Sequence, residues 1–320
     1  MKTNFCVTAF CVASGLFVSQ PVAAFDWDLY GKLELQALHV DNGLYRYADQ
    51  GWQIEAPSSR VGFKAKQKLT EDVDLVMVYE WQVNGLDKAN KDHKLGSRNT
   101  YLGLASSWGE LFFGKNDTRF KKSEGKIDLF NESLNDIAQL TPGQDRLENI
   151  VGYSSPVING WQWSATYQTG ASDEIAGGYD WTLSYGDASF KTHTYYLVYG
   201  QARELNNIDA DRILLHMKLA EMQQGTLSGG LMYQKSEHIT KPLKGDTFMA
   251  ELAFARDKLT YKVQWQRDDS KIRAKETGTL VSLGLDYALD KDLVIYGMLS
   301  DLDFVTTEDN SAALGFRYTF

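Results

Sequence analysis

Asp117 to Glu148 is the one long stretch of the mature chain that reads neither as a strand nor as a tight connection, and in it three carboxylates, Asp128, Glu132 and Asp136, recur at every fourth position. Phe130, Leu134 and Ile137 fall at i, i+4 and i+7, so the spacing predicts a short helix with an acidic row beside a separate apolar row. Shown to a narrow water-filled space, such a row attracts cations and repels anions. The alternative is the solvated face of an ordinary surface helix. From Ile127 to Gln144 the stretch holds three acids and no base, so a mild preference for cations is expected.

Other chemistry finds less support. His39, His93, His193, His216 and His238 are scattered without a His-Glu-x-x-His or similar spacing, which argues against a metal site, and nothing calls for a cofactor. No Gly-x-Ser-x-Gly elbow is present. Ser184 or Ser228 with His193 or His216 stays open as a hydrolase pairing at the rim of a barrel, but a water-filled lumen already requires polar inward residues. Asp268 and Asp269 fall in an expected long loop and read as solvated charges.

The elements that must hold these residues begin after a leader. Lys2, the apolar run Phe5 to Val18 and the small residues Val22-Ala23-Ala24 make residues 1–24 a secretory signal peptide, expected to be cleaved after Ala24. Both cysteines, Cys6 and Cys11, lie in it, so residues 25–320 have neither a disulfide nor a thiolate. Loss of Lys2 takes the formal charge from −9 to −10, an acidic balance that argues against nucleic acid. No later apolar run is long enough for a spanning helix, so an exported chain of this kind enters a membrane only as a closed barrel.

The remainder supports an all-β reading. Period-two alternation is clear in Trp27 to Ala37, Val73 to Trp81, Trp161 to Tyr167, Ile213 to Leu219, Phe248 to Phe254, Leu259 to Trp265, Val281 to Tyr287, Leu293 to Leu299 and Leu314 to Phe320. With weaker runs at 59–68, 98–107, 109–116, 149–156, 179–188, 192–200 and 226–235, about sixteen segments approach the length of a tilted membrane-crossing strand. Tight joints such as Leu69-Thr70-Glu71-Asp72 and Asp290-Lys291 alternate with long polar ones at 41–57, 84–97, 202–210, 236–245 and 268–277. Trp27, Tyr79, Trp161, Trp163, Tyr167, Trp265, Tyr287 and Tyr318 sit on the apolar face near segment ends, as interfacial girdles do; a soluble sandwich would bury such rings mid-strand.

Tyr30-Gly31-Lys32, Ser59-Arg60-Val61-Gly62-Phe63-Lys64, Tyr101 to Leu104 followed by Gly109 to Lys115, Ile150 to Pro156 and Leu314 to Phe320 resemble, in order and over nearly all the mature chain, the Gram-negative general diffusion porins. The resemblance implies a sixteen-stranded antiparallel barrel in the outer membrane, forming a homotrimer among lipid and lipopolysaccharide and passing small hydrophilic solutes and ions. It implies that Asp117 to Glu148 is a third outer loop folded into the lumen, and that Phe320 is read by the barrel-assembly machinery. Opposite the acids it implies a basic wall of Lys32, Arg60, Arg98 and Arg146; the alternation independently puts Lys32 and Arg60 on polar faces. The enteric Pro-Glu-Phe stretch is missing from the loop. A solute-specific porin with inward Tyr30, Tyr195 and Tyr199 is the nearest alternative.

Overall fold

The computed structural model describes residues 26–83, 95–170 and 177–320; the expected leader, residues 1–24, and most of the expected loop 84–97 lie outside them. The strands are β1 (Asp26–Val40), β2 (Gly51–Glu55), β3 (Arg60–Lys68), β4 (Val73–Val83), β5 (Leu95–Ser106), β6 (Gly109–Asp117), β7 (Arg146–Ser154), β8 (Trp161–Gln168) and β9 (Gly178–Gly186). They continue as β10 (Tyr195–Leu205), β11 (Ile208–Met222), β12 (Gly225–His238), β13 (Lys244–Arg256), β14 (Leu259–Asp268), β15 (Gly278–Ala288), β16 (Leu293–Phe304) and β17 (Glu308–Thr319). Between β6 and β7 lie one turn of helix, α1 (Arg119–Lys122), and a 3₁₀ turn at Ile137–Gln139.

β1 pairs antiparallel with both β2 and β3, each strand from β3 to β17 pairs antiparallel with the next, and β1 closes on β17 from Lys32↔Thr319 to Val40↔Ser311. The seam runs one residue further through two backbone bonds between Gly31 and Phe320. Asp26 to Tyr30 run past the end of this seam and pair with β3 on the other edge of β1. β2 and β3 occupy one position in the ring, since β2 pairs with Gln36–Val40 and β3 with Asp26–Lys32 of the same β1. The seventeen strands therefore make a sixteen-position closed barrel.

Where β2 breaks from β3, a side chain stands in for the missing rungs. Ser59 Oγ accepts from Glu34 N–H at 2.9 Å and donates to Glu34 C=O at 3.1 Å, so neither backbone group is left unmet. Another departure from expectation lies at 202–210, where β10 and β11 meet in a two-residue turn rather than a long loop. Asn206 and Asn207 both take left-handed φ, 51° and 63°, a geometry that suits a tight hairpin and that asparagine tolerates.

The two faces of the sheet differ as the alternation requires. Leu33, Leu102, Leu231, Leu283 and Leu314 lie on an exposed apolar face, together with paired rings such as Trp161–Tyr185. The other face carries Gln36, Thr166, Arg212, Gln234, Thr247 and Gln264, all shielded. Tyr195 and Tyr199 fall on the exposed face beside Leu197; Tyr196 is the tyrosine of that strand on the shielded side.

Ser59→Ala should lower the temperature at which the folded barrel loses its compact gel mobility, because Glu34 would keep two unpaired backbone groups at roughly 1–3 kcal/mol each. An unchanged transition would show that the hydroxyl does not carry those bonds.

Candidate functional site

Strand register brings Lys32 of β1 opposite Arg60 of β3, and Arg60 opposite Gln82 of β4, with Glu80 two residues along the same face. Arg98 follows on β5. These wall cations converge on one carboxylate: Glu132 lies 3.0 Å from Lys32 Nζ, 2.5 Å from Arg60 Nη1 and 2.6 Å from Arg98 Nη2. Two further carboxylates complete the cluster, Glu34 at 2.8 Å from Lys32 and Glu80 at 2.6 Å from Arg98. Three cations thus face three acids. Burial alone would raise the Glu132 carboxyl, but Lys32, Arg60 and Arg98 outweigh it and hold the group well below the usual carboxylate range.

The backbone at Glu132 is bent to make this contact. Its φ of 63° is left-handed, a conformation that costs an L-residue roughly 1–2 kcal/mol. Asp136 Oδ2 accepts its N–H at 2.7 Å, and the Ser58 hydroxyl donates to its C=O at 3.0 Å.

The other two acids do not join it in a row. Residues 123–136 form successive turns rather than the expected helix. The physical reason is competition, since Asp and Ser side chains here capture the amide groups a helix would use. Asp128 accepts from the N–H groups of Phe130 and Ile137 and from Gln264 Nε2; Asp136 accepts from those of Glu132 and Ala138. The expected apolar row divides too. Phe130 and Leu134 pack with Leu38, Leu280 and Tyr296, while Ile137 joins Ile127 against Val198, Leu214 and Met249. Burial, then the neighbouring Asp136, pushes the Asp128 carboxyl up to about 7, and burial also raises Asp136.

Arg146 stands apart from Glu132, donating to Asn99 Oδ1 at 2.7 Å and pairing with Asp117 at 3.1 Å. The segment between β6 and β7 is gripped from many directions. Arg212 donates to Phe120 C=O, Gln234 to Pro142 C=O, and Gln264 both accepts from Leu129 N–H and donates to Asp128. From the connections between strands, Arg273 donates to Ala138 C=O, Arg46 N–H to Gln139, and Asn206 to Asp145. Sequence reasoning passed over Glu34 and Glu80, although both alternate onto polar faces. It also missed Gln264, whose amide carries no charge signal. Lys122 and Lys126, just before the acidic run, are exposed while Glu124 and Asp128 are buried.

A family model described as Gram-negative porin matches residues 7–307. The chain is 28% identical over 159 residues to the major outer membrane protein P.IB of Neisseria sicca, a match covering 46% of this chain and 43% of that one. It spans less than half the length of the curated relatives it matches. An anion-selective porin from Comamonas acidovorans has the same fold, with a TM-score of 0.72 at 16% identity over 93% of this chain and all of that one. So does the trimer form of OmpT, an outer membrane protein of Vibrio cholerae, with a TM-score of 0.68 at 16% identity over 93% and 100%.

Because the folded carboxyl of Asp128 titrates above its unfolded value, its contribution to stability is present in acid and is lost as pH rises through about 7. Asp128→Asn cannot ionise. Its melting temperature relative to the wild type should therefore move in the variant's favour between about pH 5 and pH 8. A difference that stays constant over that range would show that burial does not oppose ionisation at this position.

Proposed function

The chain belongs to the Gram-negative porin family, and we propose that it is a water-filled channel for passive diffusion of small hydrophilic solutes and ions across the outer membrane. The proposal extends to the segment 118–145, which we read as folded into the lumen and narrowing it. The observation that carries this is the grip from opposite arcs of the ring. Lys32, Arg60 and Arg98 hold Glu132 from β1, β3 and β5, while Gln264 holds Asp128 from β14, all from the shielded face.

The field in that passage follows from which charges remain open to water. Cation preference was expected from three free acids. Asp128 and Asp136 are engaged with backbone donors and Glu132 is matched by cations, whereas Lys122 and Lys126 are exposed and Arg60 is half-buried. The arrangement supports weak selectivity leaning towards anions. Of the candidate hydrolase residues, Ser184 donates to Gln162 C=O, and His216 is buried against the Phe190 ring with Glu251 3.5 Å from its Nε2. The reading is of a channel and not an enzyme. Residues 1–24 act as a cleaved export signal and Phe320 as the assembly signal. The exposed apolar face meets lipid, lipopolysaccharide and two further copies in a homotrimer.

In a planar bilayer with a salt gradient at about 0.1 M, where the Debye length is about 10 Å, the reversal potential should indicate an excess of anion current. Glu132→Gln should enlarge that excess and Arg60→Gln should reduce it. Both shifts should shrink near 1 M, where screening acts within about 3 Å. Cation selectivity that Asp128→Asn or Asp136→Asn abolishes would restore the acidic-row account.

A further inference from the structure

On the side of the segment facing the short turn Ser107–Trp108, a cavity of about 470 Å³ lies between α1 and the wall, within the roughly 300–1,000 Å³ typical of small-molecule sites. Its lining follows from register. Ser154 of β7 pairs with Ser164 of β8, which pairs with Thr182 of β9; one rung along, Gln162 pairs with Ser184. Period two turns all five onto the shielded face. Ser164 donates to Ser154, Ser184 to Gln162 C=O and the Gln162 amide to Ser155 C=O, so the grid meets a ligand with its acceptor oxygens and with the Ser154 and Thr182 hydroxyls.

The facing side is basic. Arg119 and Lys122 of α1 line the cavity, with Glu110 as the acid among them. Glu110 lies 3.3 Å from Arg119 Nη2, while Arg119 Nε is buried without a partner. Lys122 is exposed and makes no ion pair among the described residues. Glu110 offsets one of the two cations, so one net positive charge faces the bed of hydroxyls. Tyr196 is the ring in the lining, and no second aromatic accompanies it as a stacking platform.

We infer that this cavity is a resting site for small polyhydroxylated anions, sugar acids or sugar phosphates, whose hydroxyls bond the β7–β9 grid while the acid group meets Lys122 and Arg119. The inference rests on the channel reading for its role in transport, but binding is measurable without conduction. Titration calorimetry on the detergent-solubilised protein should show gluconate binding, glucose and acetate each at least about tenfold weaker, and Lys122→Gln weakening gluconate about tenfold or more. In bilayers gluconate added on the short-turn side should interrupt the ion current at lower concentration than from the opposite side. Equal binding of acetate and gluconate would overturn the role of the hydroxyl grid, and gluconate binding unaffected by Lys122→Gln would overturn the site. Gluconate binding by a protein that conducts no ions would overturn the channel reading and leave the site standing.

Discussion

A sheet whose first strand pairs with its last has no open edge, so the strands of the wall find their backbone partners inside the protein and the ring can stand in hydrocarbon. Closure also fixes where polarity goes. With lipid claiming one face, period two leaves the other to Lys32, Glu34, Arg98, Arg212 and Gln234, all held away from bulk water. Charges in such surroundings are tolerated only when paired and hydrogen-bonded. The segment between β6 and β7 supplies much of that pairing, since its carbonyls accept from Arg212, Gln234 and Lys262 and its Glu132 takes three cations.

Glu132 illustrates how the requirements interlock. Matching its carboxylate to Lys32, Arg60 and Arg98 needs a left-handed backbone, and that backbone is held by Asp136 and Ser58. Asp136 therefore serves the site by holding a peptide in place rather than by presenting a charge to ions. Electrostatics around Glu132 is organised as a balanced cluster of three cations and three acids.

The barrel was legible because a period of two repeated over many segments is a strong signal and one face of it was unmistakably apolar. All sixteen wall positions have counterparts in the alternating runs, and Lys32 and Arg60 could be assigned to their face from that pattern alone. The segment between β6 and β7 is not legible in the same way. Spacing of four is shared by helices and by successive turns in which Asp128, Ser133 and Asp136 bond their own backbone, and periodicity cannot separate the two. The Asn206-Asn207 turn escapes the pattern for a related reason, since polarity marks a connection but not its length, and a two-residue turn asks for left-handed residues. β2 was hidden inside an expected loop because five residues hold too few alternations to stand out.

The interruption between β2 and β3 has a mechanical side. The ladder of β12 against β13 runs without a shift from Thr226↔Ala255 to Glu237↔Lys244, so shear along that pair is shared among many rungs. Beside residues 56–59 the load on β1 passes through a single serine hydroxyl, with Lys32↔Arg60 on one side and Gln36↔Glu55 on the other. A chain drawn from the membrane hairpin by hairpin would yield there in two separate steps, with Ser59 as the stitch between them.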